Sequence, residues 1–248
     1  MKEMYERFYE LDLVRGIAIF MMIVYHLLWD LTYFDIISIQ LFSGFWKVFQ
    51  VATGTIFISL VGICLVISTN NPWKLFKRGG FIFGLGLIIT GITYVIFPEK
   101  YIFFGILHFI GISIMLSPPF LNIKQSFQWI NLILGIIIII AGNYLKYHYV
   151  NFNYLAWFGF KSLTLQSVDY YPLLPWFGLV LIGIFFGNLM YQGHKRQFTL
   201  IAMNELKKIS SVFSLLSLSL SFLGKRSLLI YFIHQPILLS IIHVINFS

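Results

Sequence analysis

Asp12-Leu13-Val14-Arg15-Gly16-Ile17-Ala18-Ile19-Phe20-Met21-Met22-Ile23-Val24-Tyr25-His26-Leu27-Leu28-Trp29-Asp30 opens the first long apolar run of the chain, yet it carries an arginine, a histidine and an aspartate. In hydrocarbon such groups are costly, and they usually face a bundle interior or a watery cavity. Eleven residues separate Arg15 from His26, close to three whole helical turns, so the two share one face about 16 Å apart along the axis. Asp30, four residues beyond His26, joins that face, as does Met22 between them. A basic group at one membrane surface is thereby aligned with a deep histidine–aspartate pair.

The rest of the composition agrees with a membrane chain. Of 248 residues 59% are hydrophobic and only 10% charged, more apolar surface than a soluble domain can bury. The length fits one membrane-embedded domain over residues 1–248. A net charge of +8 would suggest nucleic acid in a soluble protein. Here the positive-inside rule accounts for it, and no nucleic-acid partner is expected. The one cysteine, Cys64, lies in an apolar run, which excludes an internal disulfide and a cysteine-based metal centre. No cleaved signal peptide is expected, because the first apolar run is too long and lacks a small-residue cleavage site.

Met1 to Leu11 is polar, aromatic and charged and is expected along the membrane surface. Seven spans follow near Leu13–Phe34, Val48–Ser68, Gly79–Phe97, Tyr101–Pro118, Gln128–Tyr147, Tyr171–Tyr191 and Ser227–Ile245, each close to the ~20 residues a crossing needs. The fold class is therefore an all-α polytopic bundle of about seven transmembrane helices. With the N-terminus inside, thirteen lysines and arginines are cytoplasmic and four (Lys47, Lys100, Lys146, Lys161) are outside, which predicts an N-in, C-out plasma-membrane protein. The outer loop from His148 to Tyr170 is long enough for a lid or a binding surface. The apolar part of the inner segment, Ser210 to Leu223, is short for a span and reads as an interfacial or half-inserted helix. Gly80-x-x-x-Gly84 in the third span reads as close helix packing.

Several residues carry chemistry. His26 with a carboxylate at i+4 has the usual arrangement of a general base whose tautomer is fixed by Asp30, although a lone membrane histidine also serves simply to bond a neighbouring helix. Arg15 can hold a phosphate or can anchor the helix by pairing with Asp12. A phosphate-bearing carrier with a long arm, such as coenzyme A, spans the distance from Arg15 to His26. Lys225 and Arg226 form a basic entrance to the last span, and also suit positive-inside anchors. His108 in the fourth span and His234-Gln235-Pro236 in the last are polar groups that line a site or satisfy the bundle. Asp169 and Trp176, in Asp169-Tyr170-Tyr171-Pro172-Leu173-Leu174-Pro175-Trp176, can contact an acceptor's amine or hydroxyl; Asp169 equally suits a turn and cap before the sixth span. His148, His194 and His243 receive no role. No phosphate-binding glycine loop, zinc-ligand cluster or mid-membrane lysine for retinal is found.

Arg15, ten residues, then His26, within Asp12-Leu-Val-Arg-Gly-Ile-Ala, is similar to the first-helix signature of the membrane acyltransferase-3 superfamily. With Phe104-Gly-Ile-Leu-His108-Phe-Ile-Gly, Asp169-Tyr-Tyr-Pro-Leu-Leu-Pro-Trp176-Phe-Gly and Gly224-Lys-Arg-Ser-Leu-Leu-Ile-Tyr-Phe-Ile-His234-Gln-Pro, the chain most resembles small prokaryotic proteins grouped with the catalytic domain of heparan-α-glucosaminide N-acetyltransferase. The resemblance implies transfer of an acetyl group from cytoplasmic acetyl-CoA to an acceptor across the membrane, with no metal. The lysosomal enzyme has an asparagine where His26 stands and its proposed active histidine in the following loop; this sequence has no histidine between His26 and His108, so the role either moves to His26, as in acyltransferase-3 proteins, or is lost. That enzyme's lumenal extension has no counterpart here, and heparan itself is not expected as the substrate.

The expectation is an acetyltransferase with the phosphates of acetyl-CoA near Arg15, Lys225 and Arg226. Its thioester reaches His26, which acts as base or as covalent carrier and is oriented by Asp30. His108, His234 or Gln235 stabilise the oxyanion. A sugar or lipid-linked acceptor approaches past Asp169 and Trp176. A transporter using the same polar residues as a pathway, and a partner protein binding through its aromatic loop, are the competing readings. Beyond the bilayer, acetyl-CoA and the acceptor, a homodimer is left open.

Overall fold

The computed structural model describes residues 8–68, 71–163, 165–191, 195, 197 and 211–247. The N-terminal surface segment, as far as residue 7, and most of the basic stretch 192–210 lie outside the described residues. The described chain is helical: α1 Tyr9–Tyr33, α2 Gly44–Val66, α3 Pro72–Ile96, α4 Ile106–Leu116, α5 Pro118–Leu121, α6 Trp129–Leu145, α7 Leu173–Met190, α8 Ser211–Lys225 and α9 Ser227–Phe247. The only strands among these residues are a two-residue parallel pair, Tyr149–Val150 with Lys161–Ser162. An all-α polytopic membrane bundle is thus the architecture.

Among the described residues, six helices are long and apolar enough to cross a membrane: α1, α2, α3, α6 with the short turn before it, α7 and α9. The seven predicted spans all fall on helices, but the fourth is too short. α4 has 11 residues, about 16 Å of helix, roughly half the ~30 Å hydrocarbon thickness. Its expected first turn is extended instead. Phe104 bridges to Tyr170, the Tyr171 N–H donates to the Phe104 carbonyl at 2.9 Å, and the Ile102 N–H donates to Thr93 Oγ1 at 3.1 Å. Backbone pairing with the segment before α7 takes the residues that would have lengthened the helix.

Two compact units divide the chain. The first is Met1–Phe57 with Thr199–Ser248, the second Ile58–Phe198. In the first, α1 packs on α8 and α9. In the second, α3 packs on α4 and α6 on α7. The α3–α4 contact corrects one sequence expectation. Gly80 and Gly84 have nothing within 4 Å of where a side chain would begin. Gly79 and Gly86 make the approach instead, against Gly111 and the His108 ring. Seven residues apart, these two share a face, whereas Gly80 is turned about 100° away from Gly79. Small residues let backbones close up in lipid only on the face that meets a neighbour.

Candidate active site

In the first unit, α1 and α8 lie backbone to backbone. A side chain at Gly16 would run into the Leu220 carbonyl, and one at Gly224 into the Asp12 carbonyl. The two contacts step four residues forward along α1 and four back along α8, so the helices are antiparallel. α8 therefore runs along α1. At the end of α8 the chain turns on Arg226, and α9 runs in the direction of α1, His234 opposite His26 and Gln235 opposite Asp30.

This crossing positions the cations. Arg15 Nη1 donates to Asp12 Oδ1 at 2.8 Å, with Asp12 almost fully buried. The same nitrogen reaches the Gly224 carbonyl at 3.4 Å, one of the last-turn carbonyls that an α-helix leaves without an internal donor. Arg15 thus ties α1 to the end of α8. Lys225 and Arg226 follow Gly224 directly and are exposed, and the Arg226 guanidinium rests 4.8 Å from the Phe222 ring centre. The three cations expected to meet phosphate gather at one end of this unit.

Farther along the same helices the deep polar residues meet. The rings of His26 and His234 lie edge to face, their centres 4.9 Å apart. One residue on, Gln235 Nε2 donates to Asp30 Oδ1 at 2.6 Å. Asp30, expected to orient His26, has one carboxylate oxygen engaged by the amide of Gln235, across 205 residues of sequence. His234 Nδ1 bonds the Tyr231 carbonyl at 2.7 Å. Pro236 lies inside α9 and has no N–H to continue the helical ladder there.

Four polar atoms in this neighbourhood are buried with no hydrogen-bond partner among the described residues: Asp30 Oδ2, His234 Nε2, Gln235 Oε1 and the Tyr25 hydroxyl. Asp30 is 0% exposed and His234 8%. A buried unsatisfied group costs roughly 1–3 kcal/mol, so each of these atoms needs a partner, whether a bound water or a ligand. Tyr25, its ring centre 6.4 Å from that of His26, escapes a reading by helical face because it is next to His26 in sequence and off the Arg15–His26 stripe. The only signal for it is adjacency.

In the second unit the expected site residues hold the start of α4. His108 Nδ1 accepts from the Gly105 N–H at 3.2 Å. Nε2 therefore bears the hydrogen of a neutral ring, and it meets Thr90 Oγ1 at 3.3 Å. Thr90 in turn donates to the Ile102 carbonyl at 2.6 Å. Asp169 Oδ2 accepts from the Ile106 N–H at 3.0 Å, satisfying one of the helix's first N–H groups. Asp169 is thus a cap, but for α4, not for the following span. Trp176 packs beside Tyr171, ring centres 4.9 Å apart. The loop before α7 is pinned to the same place: the Phe103 N–H donates to Ser167 Oγ at 3.3 Å, and the Tyr170 hydroxyl to the Ala156 carbonyl at 2.7 Å. Burial pushes the Tyr170 phenol up to about 12, so it stays a donor.

No group of three or more histidine, cysteine, aspartate or glutamate side chains able to hold a metal occurs among the described residues. The family model described as "Heparan-alpha-glucosaminide N-acetyltransferase, catalytic" matches residues 7–236. No curated protein and no solved structure matches the chain.

Proposed function

The chain belongs to the heparan-alpha-glucosaminide N-acetyltransferase catalytic family, a family of transmembrane acetyltransferases, and on that premise we propose that it moves an acetyl group from cytoplasmic acetyl-CoA to an amine or hydroxyl of a sugar or lipid-linked acceptor outside. The family does not favour the transporter reading. The observation that carries the proposal is the meeting of His26 and His234 above a Gln235–Asp30 bond, on the helices whose other ends carry Arg15, Lys225 and Arg226. One surface of this arrangement suits a phosphate-bearing carrier. Its deep end offers paired imidazoles for proton transfer from the acceptor, work typically worth 10²–10⁴ in rate.

Lys225 and Arg226, exposed and not engaged in the Arg15–Asp12 pair, are the residues that suit the CoA phosphates best. Arg15 holds the framework beneath them. An N-in, C-out orientation in a plasma membrane puts this end on the cytoplasmic side, where acetyl-CoA is. The test is thermal stabilisation of the detergent-purified protein by acetyl-CoA. Wild type gains stability, the Lys225→Ala/Arg226→Ala double variant loses that gain, and His26→Ala keeps it while losing acetyl transfer to a panel of amino sugars and polyols. A wild type that unfolds at the same temperature with and without millimolar acetyl-CoA would overturn the donor assignment.

A further inference from the structure

The chemistry of His234 is fixed by the bond it already makes. Nδ1 lies 2.7 Å from the Tyr231 carbonyl oxygen. A carbonyl only accepts, so Nδ1 carries the hydrogen, and in the neutral ring Nε2 holds a lone pair. That lone pair is buried and has no partner among the described residues. Its neighbours have the same character. Gln235 gives one of its two Nε2 hydrogens to Asp30 and has Oε1 as an unpartnered acceptor among the described residues, and Asp30 Oδ2 as a carboxylate oxygen accepts too. An oxyanion needs donors aimed at it. The lone pair at His234 Nε2 therefore suits taking a proton better than holding an oxyanion, a role that stays open to the second Nε2 hydrogen of Gln235.

We propose that His234, through Nε2, is the group that takes the proton from the attacking amine or hydroxyl. This rests on the acetyl-transfer reading above. The acceptor heteroatom forms its bond to the thioester carbonyl carbon, and the carbonyl π pair moves onto oxygen. Nε2 takes the hydrogen of the attacking heteroatom, and the imidazolium is held by the Tyr231 carbonyl at Nδ1–H. The oxygen pair then re-forms the carbonyl, the C–S bond breaks with its electrons on sulfur, and the thiolate recovers the proton from Nε2. His234 ends neutral, with an acetylated acceptor and free CoA thiol. His26, edge to face with the His234 ring, is its positioning partner.

Two measurements test this separately from the acetyl-transfer reading. The first is the ¹⁵N spectrum of the full-length protein labelled at histidine, with the His234 signals identified by their loss in His234→Gln. A protonated Nδ1 and an unprotonated Nε2 are expected; the reverse tautomer overturns the proposal whether or not the protein turns over acetyl-CoA. The second is the pH profile of transfer. Wild type loses rate on acidification as its base is protonated. His234→Gln is expected to bind acetyl-CoA as wild type does, to turn over at least 100-fold more slowly, and to lose the acid limb. His26→Gln is slower but keeps that limb. A His234→Gln or His234→Asn protein that folds and retains a tenth of the wild-type rate overturns the proposal. If wild type neither binds nor uses acetyl-CoA, the acetyl-transfer reading fails, and the tautomer decides whether His234 is still a base.

Discussion

His234 and His108 are both buried histidines in apolar helices, and they differ in what their second nitrogen does. His108 has both ring nitrogens within hydrogen-bonding distance of a partner, Gly105 N–H and Thr90, and its ring packs between Phe83 and Phe104. His234 has one nitrogen bonded and one buried without a partner among the described residues. A satisfied histidine is part of the scaffold, because its bonds are used in the resting fold. An unsatisfied one has bonding capacity left over, which is what the proposal for His234 Nε2 draws on. Residue type and burial are shared; the state of the second ring nitrogen distinguishes the two.

The comparison is broken most directly by exchanging the two losses. His26→Ala and His234→Gln should each cut acetyl transfer by about 10²–10⁴ with little change in thermal unfolding. His108→Ala should do the opposite: it orphans the Gly105 N–H and should cost about 1–3 kcal/mol, with activity per folded molecule kept. Equal loss of turnover in His108→Ala and His234→Gln would erase the distinction. Next in size, Gly16→Ala forces a methyl into the Leu220 carbonyl and should cost about 1–3 kcal/mol, whereas Gly80→Ala, with open space around it, should be near neutral when unfolding is followed in detergent. Asp169→Ala removes one cap bond from α4 and should cost about 1 kcal/mol; a loss confined to acceptor affinity would show instead that Asp169 belongs to a substrate site.

The smallest effect is alkaline. The folded Tyr170 phenol titrates about 12, above its ordinary value of 10, because it is buried. Its contribution is complete below pH 10 and is lost as the pH rises through 12, since the raised value means folding favours the protonated form. Tyr170→Phe should flatten that last decline in a stability–pH series and leave neutral pH almost unchanged.

Much of this was legible from helical periodicity. The stripe Arg15–Met22–His26–Asp30 follows from 3.6 residues per turn, and the apolar runs announce their helices. Partners at long separation do not follow. Nothing in the spacing shows that Gln235, not His26, engages Asp30, or that Asp169 caps a helix that starts 63 residues earlier. Both depend on which helices pack, which no local pattern encodes. The same reason explains why Gly80-x-x-x-Gly84 looked like a packing face: periodicity finds faces, and the neighbour chooses among them.

The joining of α1 with α8 and α9 has a consequence for biosynthesis. Asp30 and its partner Gln235 are 205 residues apart, so the ribosome makes the polar face of α1 long before it makes the helices that cover it. Until then Asp12, Arg15, His26 and Asp30 must wait in or beside the bilayer, where a single central aspartate or arginine costs roughly 2.5–3.5 kcal/mol during insertion. A chain stopped after α7 would contain the whole helical framework of the second unit and still leave α1 a poor tenant of the membrane. Quality control that senses exposed polar residues in lipid would therefore read the absence of the last two helices through the first.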